Sequence, residues 1–376
     1  MNIDVLLVEQ LTGQYGHGGV ARYIRHMIAA LNNRFNDGFA ACSELTDLPH
    51  STQRVFMPDL RFRGMYHLGL GRLLLAAQTY FLNRLITRIR PRLVFCPYFG
   101  PIANGAPQVF TVYDFLRERY PQYFVRRFLP AQLARMQKCY GSAAAIFCIS
   151  ESTRRDLLRL YPFVDSRKAY VTHLGVDDAF FNTEVNSSAN EGPYILYVGN
   201  RAGWKNFMRL LESFAASGVA HEYQLKVVTP RRAAAAGWTR AESDFIRRSD
   251  LISRISLETS VTEDRLRQLY RGAEFFVYPS EYEGFGLPIL EAMASRTLVL
   301  CSNTSSMPEI GGDAVVYFDP LDVSSISNAL QYAARLSPVE RHFLVEKGVA
   351  RARSFNWATC ATKTISIFES LLRNTR

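Results

Sequence analysis

Short apolar runs alternate with amphipathic stretches along the whole chain, the pattern of an α/β fold built on parallel sheets. In the first half, runs at 3–8, 93–96, 108–112, 145–149 and 169–172 predict strands, and periodic stretches at 19–33, 67–89, 122–141 and 151–160 predict helices. A polar stretch from Asn182 to Pro193 (NTEVNSSANEGP) then breaks the pattern with the composition of a linker. The alternation restarts with strands at 194–198, 224–228, 274–278 and 297–300, and helices at 205–216, 263–271, 287–294 and 323–335. A last helix is predicted from Trp357 to Leu372. Two similar halves around a short linker predict two Rossmann-like, doubly wound domains facing each other: 1–183 and 194–355, with 184–193 between them and 356–376 as a terminal helix.

Length supports that division, since 376 residues exceed what one core usually organises. Apolar residues at 48% and charged residues at 21% describe an ordinary globular chain and exclude a disordered one. The six cysteines are scattered and form no C-x-x-C, which argues for a reducing compartment and against a zinc site or disulfide scaffold. Met1 leads directly into the strand pattern of Asp4 to Val8, which reads as a strand and not as a signal peptide. The longest apolar stretch, Leu68 to Ile86, contains Arg72 and Arg84, so it reads as an amphipathic or buried helix and not as a membrane span.

Charge divides the halves unevenly. Residues 1–190 hold 22 Lys and Arg against 14 Asp and Glu, and the remainder 22 against 20, so +8 of the net +10 lies in the first half. Such a half can bind nucleic acid, lie on an anionic membrane, or receive a phosphate-bearing substrate. No nucleic-acid module is visible, and the aromatics sit mostly in apolar contexts. Arg84, Arg88, Arg90 and Arg92, and then Arg117, Arg119, Arg126, Arg127, Arg135 and Lys138, are interleaved with Phe, Leu and Tyr. That pattern suits either a lipid surface or the solvated faces of ordinary helices.

Ligands of doubly wound sheets bind where strands give way to helix N-termini, and four such junctions carry unusual chemistry. After the first strand, Gly13-Gln14-Tyr15-Gly16-His17-Gly18-Gly19 holds four glycines in seven residues, which lets backbone approach an anion closely or serves turn geometry alone. His17 there is either a polar contact or a solvated loop residue. After the strand at 194–198, Gly199 is followed by Arg201 and Lys205, cations placed to neutralise a diphosphate or simply solvated. The strand Phe275–Pro279 runs into Ser280-Glu281-Tyr282-Glu283-Gly284-Phe285-Gly286-Leu287-Pro288 and a helix containing Glu291. Gly284 and Gly286 leave backbone N–H groups of 284–287 for phosphate or sugar oxygens. Glu283 and Glu291 can accept hydrogen bonds from vicinal hydroxyls, so the pair suits a sugar and a ribose. The fourth junction, Asn303 to Gly312, offers small polar residues that either hold a ligand or cap a helix.

At these residues the chain resembles glycosyltransferase family 4. The segment Phe275 to Pro320 matches the family's signature block, with Glu283 and Glu291 as its E-x7-E pair. Supporting matches are the Gly18-Gly19 turn, Ser150-Glu151-Ser152, His173-Leu174-Gly175-Val176-Asp177, Val198-Gly199 with Lys205-Asn206, and Phe355-Asn356-Trp357. The resemblance implies the GT-B fold, a catalytic cleft between the domains, and a terminal helix that returns to the N-terminal domain. It implies a retaining transferase using a nucleotide diphosphate sugar of GDP or UDP type, with a hexose such as mannose slightly favoured. Lys205 and Arg201 would hold the diphosphate, Glu283 the donor sugar, Glu291 the ribose, and the amides of Phe285, Gly286 and Leu287 sugar and phosphate, beside Gly18, Gly19, Gly199 and Gly284. Two departures matter: Tyr113-Asp114 stands where the family often has His-Asp, leaving Asp114 to serve alone or cap a helix, and Arg201 lies one residue later than is common.

No Asp-x-Asp and no His/Cys cluster occurs in the sequence, so no metal or other cofactor is expected. Lys205, Arg201 and a helix N-terminus would supply the positive field instead. The acceptor would be a saccharide or lipid-linked saccharide met by the basic N-terminal half. That places the expected enzyme in the cytoplasm, peripheral on the inner face of the membrane, in surface polysaccharide synthesis. The rival classes are a non-catalytic nucleotide-sugar or membrane-surface binding protein of the same fold, and a nucleic-acid binder resting on charge alone. Equal turnover by Glu283→Ala and wild type would favour other chemistry, and a steep salt dependence of binding would favour the nucleic-acid binder.

Overall fold

A computed structural model describes residues 3–8, 18–42, 51–55, 71–98, 100, 102, 105–124, 129–182, 192–201, 203–230 and 237–374. The glycine-rich turn from Gly13 to His17, the basic pair Arg126 and Arg127, and most of the polar stretch 182–193 lie outside these residues. The chain divides into two compact units, residues 1–174 with 357–376, and residues 175–356. The division falls at Leu174, ahead of the polar stretch, and the segment that follows is tied to the second unit by Val176 N–H donating to Phe355 O (3.1 Å).

In the first unit the elements run β1 (Val5–Val8), α1 (Gly19–Phe35), β2 (Phe39–Cys42), β3 (Gln53–Arg54), α2 (Gly71–Ile89), β4 (Leu93–Cys96), β5 (Gln108–Val112), α3 (Leu116–Arg119), α4 (Leu129–Ser142), β6 (Ala145–Cys148), α5 (Glu151–Leu160) and β7 (Ala169–Val171). Their strands form one parallel sheet in the order β3-β2-β1-β4-β5-β6-β7. The second unit holds β8 (Tyr194–Val198), α6 (Phe207–Ser217), β9 (Gln224–Thr229), α7 (Arg240–Arg248), β10 (Ile255–Thr259), α8 (Glu263–Gly272), β11 (Phe275–Tyr278), α9 (Leu287–Ala294), β12 (Leu298–Ser302), α10 (Met307–Gly311), β13 (Val316–Phe318), α11 (Val323–Arg335) and α12 (Pro338–Arg353). Its sheet is also parallel, in the order β10-β9-β8-β11-β12-β13.

Strands β1, β4, β11 and β12 are runs of four or five largely apolar residues buried along their whole length, as a sheet covered by crossover helices requires. Strands β2, β3, β10 and β13 were not legible in the sequence. Three of them are sheet edges, where one side lacks a partner strand and the apolar run shortens or mixes with polar residues.

The terminal helix α13 (Trp357–Arg373) belongs to the first unit. Phe368 packs against Phe95 and Phe147 with ring centroids 5.2 and 5.5 Å away. Arg92 donates to the Leu372 carbonyl and to Asp4, and Arg34 pairs with Glu369. All six cysteines are buried free thiols. Among the described residues no helix is long and apolar enough to cross a membrane.

Candidate active site

In both sheets the strand order reverses direction beside the first strand of the unit, at β1/β4 and at β8/β11. The carboxyl ends of such a strand pair open a crevice that takes ligands in doubly wound folds.

In the second unit that point carries a salt bridge. Lys205 leaves the turn after β8, Glu283 leaves the turn after β11, and Lys205 Nζ lies 2.6 Å from Glu283 Oε1. Their side chains retain only 16% and 14% exposure. The Lys205 ammonium also donates to the Tyr278 hydroxyl at 3.2 Å. The two turns are fastened to each other. Glu281 N–H donates to Trp204 O (2.8 Å). Asn206 sits in the left-handed region (φ 59°), which asparagine tolerates, and its amide donates to the Pro279 and Pro320 carbonyls. Arg209 binds Asn206 Oδ1 at 2.7 Å and Pro320 O at 3.0 Å.

The turn holding Glu283 is fixed from a third side. Glu283 N–H donates to Ser305 Oγ at 2.9 Å, the Ser306 hydroxyl lies 2.6 Å from Phe285 O, and Thr304 Oγ1 donates to Glu281 O at 2.9 Å. The small polar residues of the fourth junction therefore hold the backbone of the Glu283 turn. Gly286 precedes α9 with φ 115°, a conformation that excludes other residues. Pro288 occupies the first turn, and no side chain caps the helix. Glu291, one turn in, is 6% exposed and accepts a hydrogen bond from the buried Tyr270 hydroxyl at 3.0 Å.

Arg201, on the same turn, is engaged by a carboxylate of its own unit. Its guanidinium does not stand open at the strand end: Nε donates to Glu242 Oε1 at 2.9 Å, with side chains only 6% and 3% exposed. It lies over Trp238 (5.1 Å) and Phe207 (5.8 Å). Glu242 is at once the capping-box carboxylate of α7, accepting from Thr239 N–H at 2.7 Å. These contacts fasten the turn after β8 to α7, while Arg201 Nη1 is buried without a hydrogen-bond partner among the described residues. Tyr278, Tyr270, Arg209 and Glu242 escaped the sequence reading, because an aromatic in an apolar strand or a charge on a helix reads as packing or solvation.

In the first unit the corresponding ends are aromatic. Gly18, extended at φ −91°, is the N-cap of α1 without a side-chain cap, and Gly19 opens the helix. The Tyr113 hydroxyl donates to Pro97 O at 2.7 Å, and its ring packs on Tyr23 and Tyr98. Asp114 Oδ1 accepts from Leu116 N–H at 3.0 Å, a local turn contact just before α3, whose N-cap is Phe115. Arg117 donates to the Tyr98 hydroxyl at 3.2 Å. Ser150 caps α5 through Thr153 N–H, and Thr153 Oγ1 reaches Tyr113 O. Burial raises the Glu118 carboxyl above its ordinary value despite a 2.6 Å hydrogen bond from Tyr161. Among the described residues no group of three or more His, Cys, Asp or Glu could hold a metal ion.

Comparison with known families gives two adjoining matches. The model described as "Glycosyltransferase Family 4" covers residues 17–180, and "Glycosyl transferases group 1" covers 179–348. The chain is 29% identical over 276 residues to O-antigen chain mannosyltransferase B of Escherichia coli, covering 70% of each chain. It is 28% identical to serotype-specific mannosyltransferase WbdA of Escherichia coli over 69% of its own length, but spans only 32% of that protein. It is also 28% identical to the MMP alpha-(1->4)-mannosyltransferase of Mycolicibacterium hassiacum, over 60% of this chain and 54% of the other. Among solved structures, a glycosyltransferase from Rickettsia africae superposes with a TM-score of 0.76 at 16% identity over the full length of both chains. WaaG, a glycosyltransferase involved in lipopolysaccharide biosynthesis, gives 0.75 at 16% identity, over 97% of this chain and 99% of the other. These likenesses establish the GT-B fold.

Proposed function

Because this chain belongs to glycosyltransferase family 4, we propose that it is a retaining hexosyltransferase that moves mannose from a nucleoside diphosphate sugar onto a saccharide or lipid-linked saccharide in surface polysaccharide synthesis. The observation that carries the site is the Lys205–Glu283 pair at the carboxyl ends of β8 and β11. The mannosyltransferases among the relatives support mannose, and with it a GDP donor over a UDP one.

Lys205 faces the diphosphate and offsets the charge that develops on it. Glu283 accepts hydrogen bonds from donor sugar hydroxyls, and Glu291, oriented by Tyr270, from the ribose. The start of α9, at Gly286 and Leu287, presents the positive end of a helix to the same anion. Gly199 leaves room for close backbone approach at the end of β8, and in the first unit Gly18-Gly19 opens α1 while Asp114 accepts from Leu116 N–H. The acceptor oxygen attacks the anomeric carbon, the bond to the β-phosphate oxygen breaks, and that oxygen takes the acceptor's proton. No strong enzyme base is needed, which accommodates Tyr113 with its hydroxyl spent on Pro97. A lysine and a helix terminus can stabilise the leaving group without a metal.

A transferase assay and thermal-shift series with GDP, UDP and their sugars tests this reading. GDP-mannose should raise the melting temperature by mass action and be turned over in EDTA. No stabilisation by any nucleotide sugar would overturn the reading, and activity lost in EDTA and restored by Mg²⁺ would overturn its metal-free form. The enzyme would work at the cytoplasmic face of the membrane, through the outer side of α2. Arg84 and Arg88 are exposed there beside Tyr80, with the exposed Arg90 just past the helix end, and each basic residue at an anionic surface contributes about 1 kcal/mol. Sedimentation with anionic but not neutral liposomes at low salt is the expected result, and equal weak binding to both would remove the membrane from the proposal.

A further inference from the structure

Tyr278 ends an otherwise apolar strand, Phe275-Phe276-Val277-Tyr278, and is 2% exposed. Phenylalanine would fill the same space, so the hydroxyl adds nothing to the packing of β11. Burying it would cost free energy unless it were bonded. Its bonds lead to the two residues that define the site and to Ser280. Lys205 Nζ donates to it at 3.2 Å and hangs 5.4 Å from the ring centroid. Its pKa is raised well above the ordinary tyrosine value by burial, by the charge of Glu283 and by a hydrogen bond with Glu283, so the phenol keeps its proton. Lysine is a point charge on a flexible stem. One contact, to Glu283, fixes a distance; the second fixes a direction. The ring cannot drift, because it stacks on Phe276 at 5.8 Å and 27°.

We propose that Tyr278 is a positioning residue whose hydroxyl closes a triangle with Lys205 and Glu283 and aims the ammonium at the leaving diphosphate. The inference rests on the donor-site reading above. Asn206 and Arg209 clamp the backbone on either side, while Tyr278 alone among these reaches the ammonium itself.

The test is Tyr278→Phe, alone and in a Lys205→Ala background, with Lys205→Ala and Glu283→Gln measured beside it. Loss of one charge-assisted hydrogen bond should lower kcat about tenfold with little change in the donor KM and an unchanged melting temperature. In the Lys205→Ala background the substitution should have no further effect, because a residue acting through Lys205 has nothing left to aim. Wild-type kcat in Tyr278→Phe alongside an impaired Lys205→Ala would overturn this inference and leave the donor site standing. An equal loss in both backgrounds would also overturn it, as would a lower melting temperature with unchanged kcat. Wild-type turnover in Lys205→Ala and Glu283→Gln would instead overturn the donor site, and the inference with it.

Discussion

The two units share a parallel sheet and a strand order that reverses beside the first strand, yet their reversal points are built from different chemistry. In the second unit, oppositely charged side chains from two turns meet at 2.6 Å, and the turns are pinned by Asn206, Arg209, Ser305 and Ser306. In the first unit the side chains at the strand ends are bonded locally: Tyr113 donates to the Pro97 carbonyl, Asp114 accepts from Leu116 N–H, and Arg117 donates to the Tyr98 hydroxyl. Topology supplies a place for a ligand in both, and residue chemistry decides what the place can do. A shielded ion pair contributes little net stability after desolvation. The Lys205–Glu283 pair is therefore better explained by what it would hold than by the fold it supports.

The contrast can be broken most forcefully at Lys205. Lys205→Ala should reduce kcat by about 10²–10³, the usual cost of removing one electrostatic stabiliser of a developing anion, with a fall in melting temperature from leaving the shielded Glu283 without its cation. Near-wild-type kcat/KM would sink the assignment of the second unit as the donor side.

Arg201 sharpens the comparison, because it stands on the same turn as Lys205 but is bound inward. Arg201→Met leaves Glu242 buried without its cation, and breaking a buried pair from one side costs about 3–5 kcal/mol. The expected result is a large fall in thermal stability, partly recovered when Glu242 is also replaced by Met. Intact stability with lost turnover would return Arg201 to the diphosphate.

The smallest effect is expected in the first unit, at Glu118. Burial raises its folded-state pKa above the ordinary 4.5, so the folded protein holds this proton more tightly than the unfolded chain. Its contribution to stability is full below the unfolded value and is lost as pH rises through the raised one. Melting curves of Glu118→Gln from roughly pH 4 to 7 should lack that decline. Identical pH profiles for variant and wild type would show that the carboxyl does not feel its burial.

Much of the second unit was legible because its signals are local. A short apolar run followed by Glu283-Gly284-Phe285-Gly286-Leu287-Pro288 specifies strand, turn and helix within fourteen residues, from Phe275 to Pro288, and α9 begins where Pro288 and the glycine before it allow. The role of Arg201 was not legible, since a cation four residues before Lys205 reads the same whether it faces a ligand or a carboxylate on α7. Nor were the hydroxyls of Thr304, Ser305 and Ser306, whose partners lie more than twenty residues away.

By itself the sequence determined the alternation of strands and helices, the two-unit α/β architecture and the family, because apolar periodicity and glycine turns act within a few residues. Tertiary structure alone decided which charges meet. Lys205 reaches Glu283 across 78 positions and Arg201 reaches Glu242 across 41, and those partners are set by strand order. A parallel sheet brings together the ends of strands that are distant in the chain, so the pairing of side chains at those ends is fixed by the order in which the strands lie side by side.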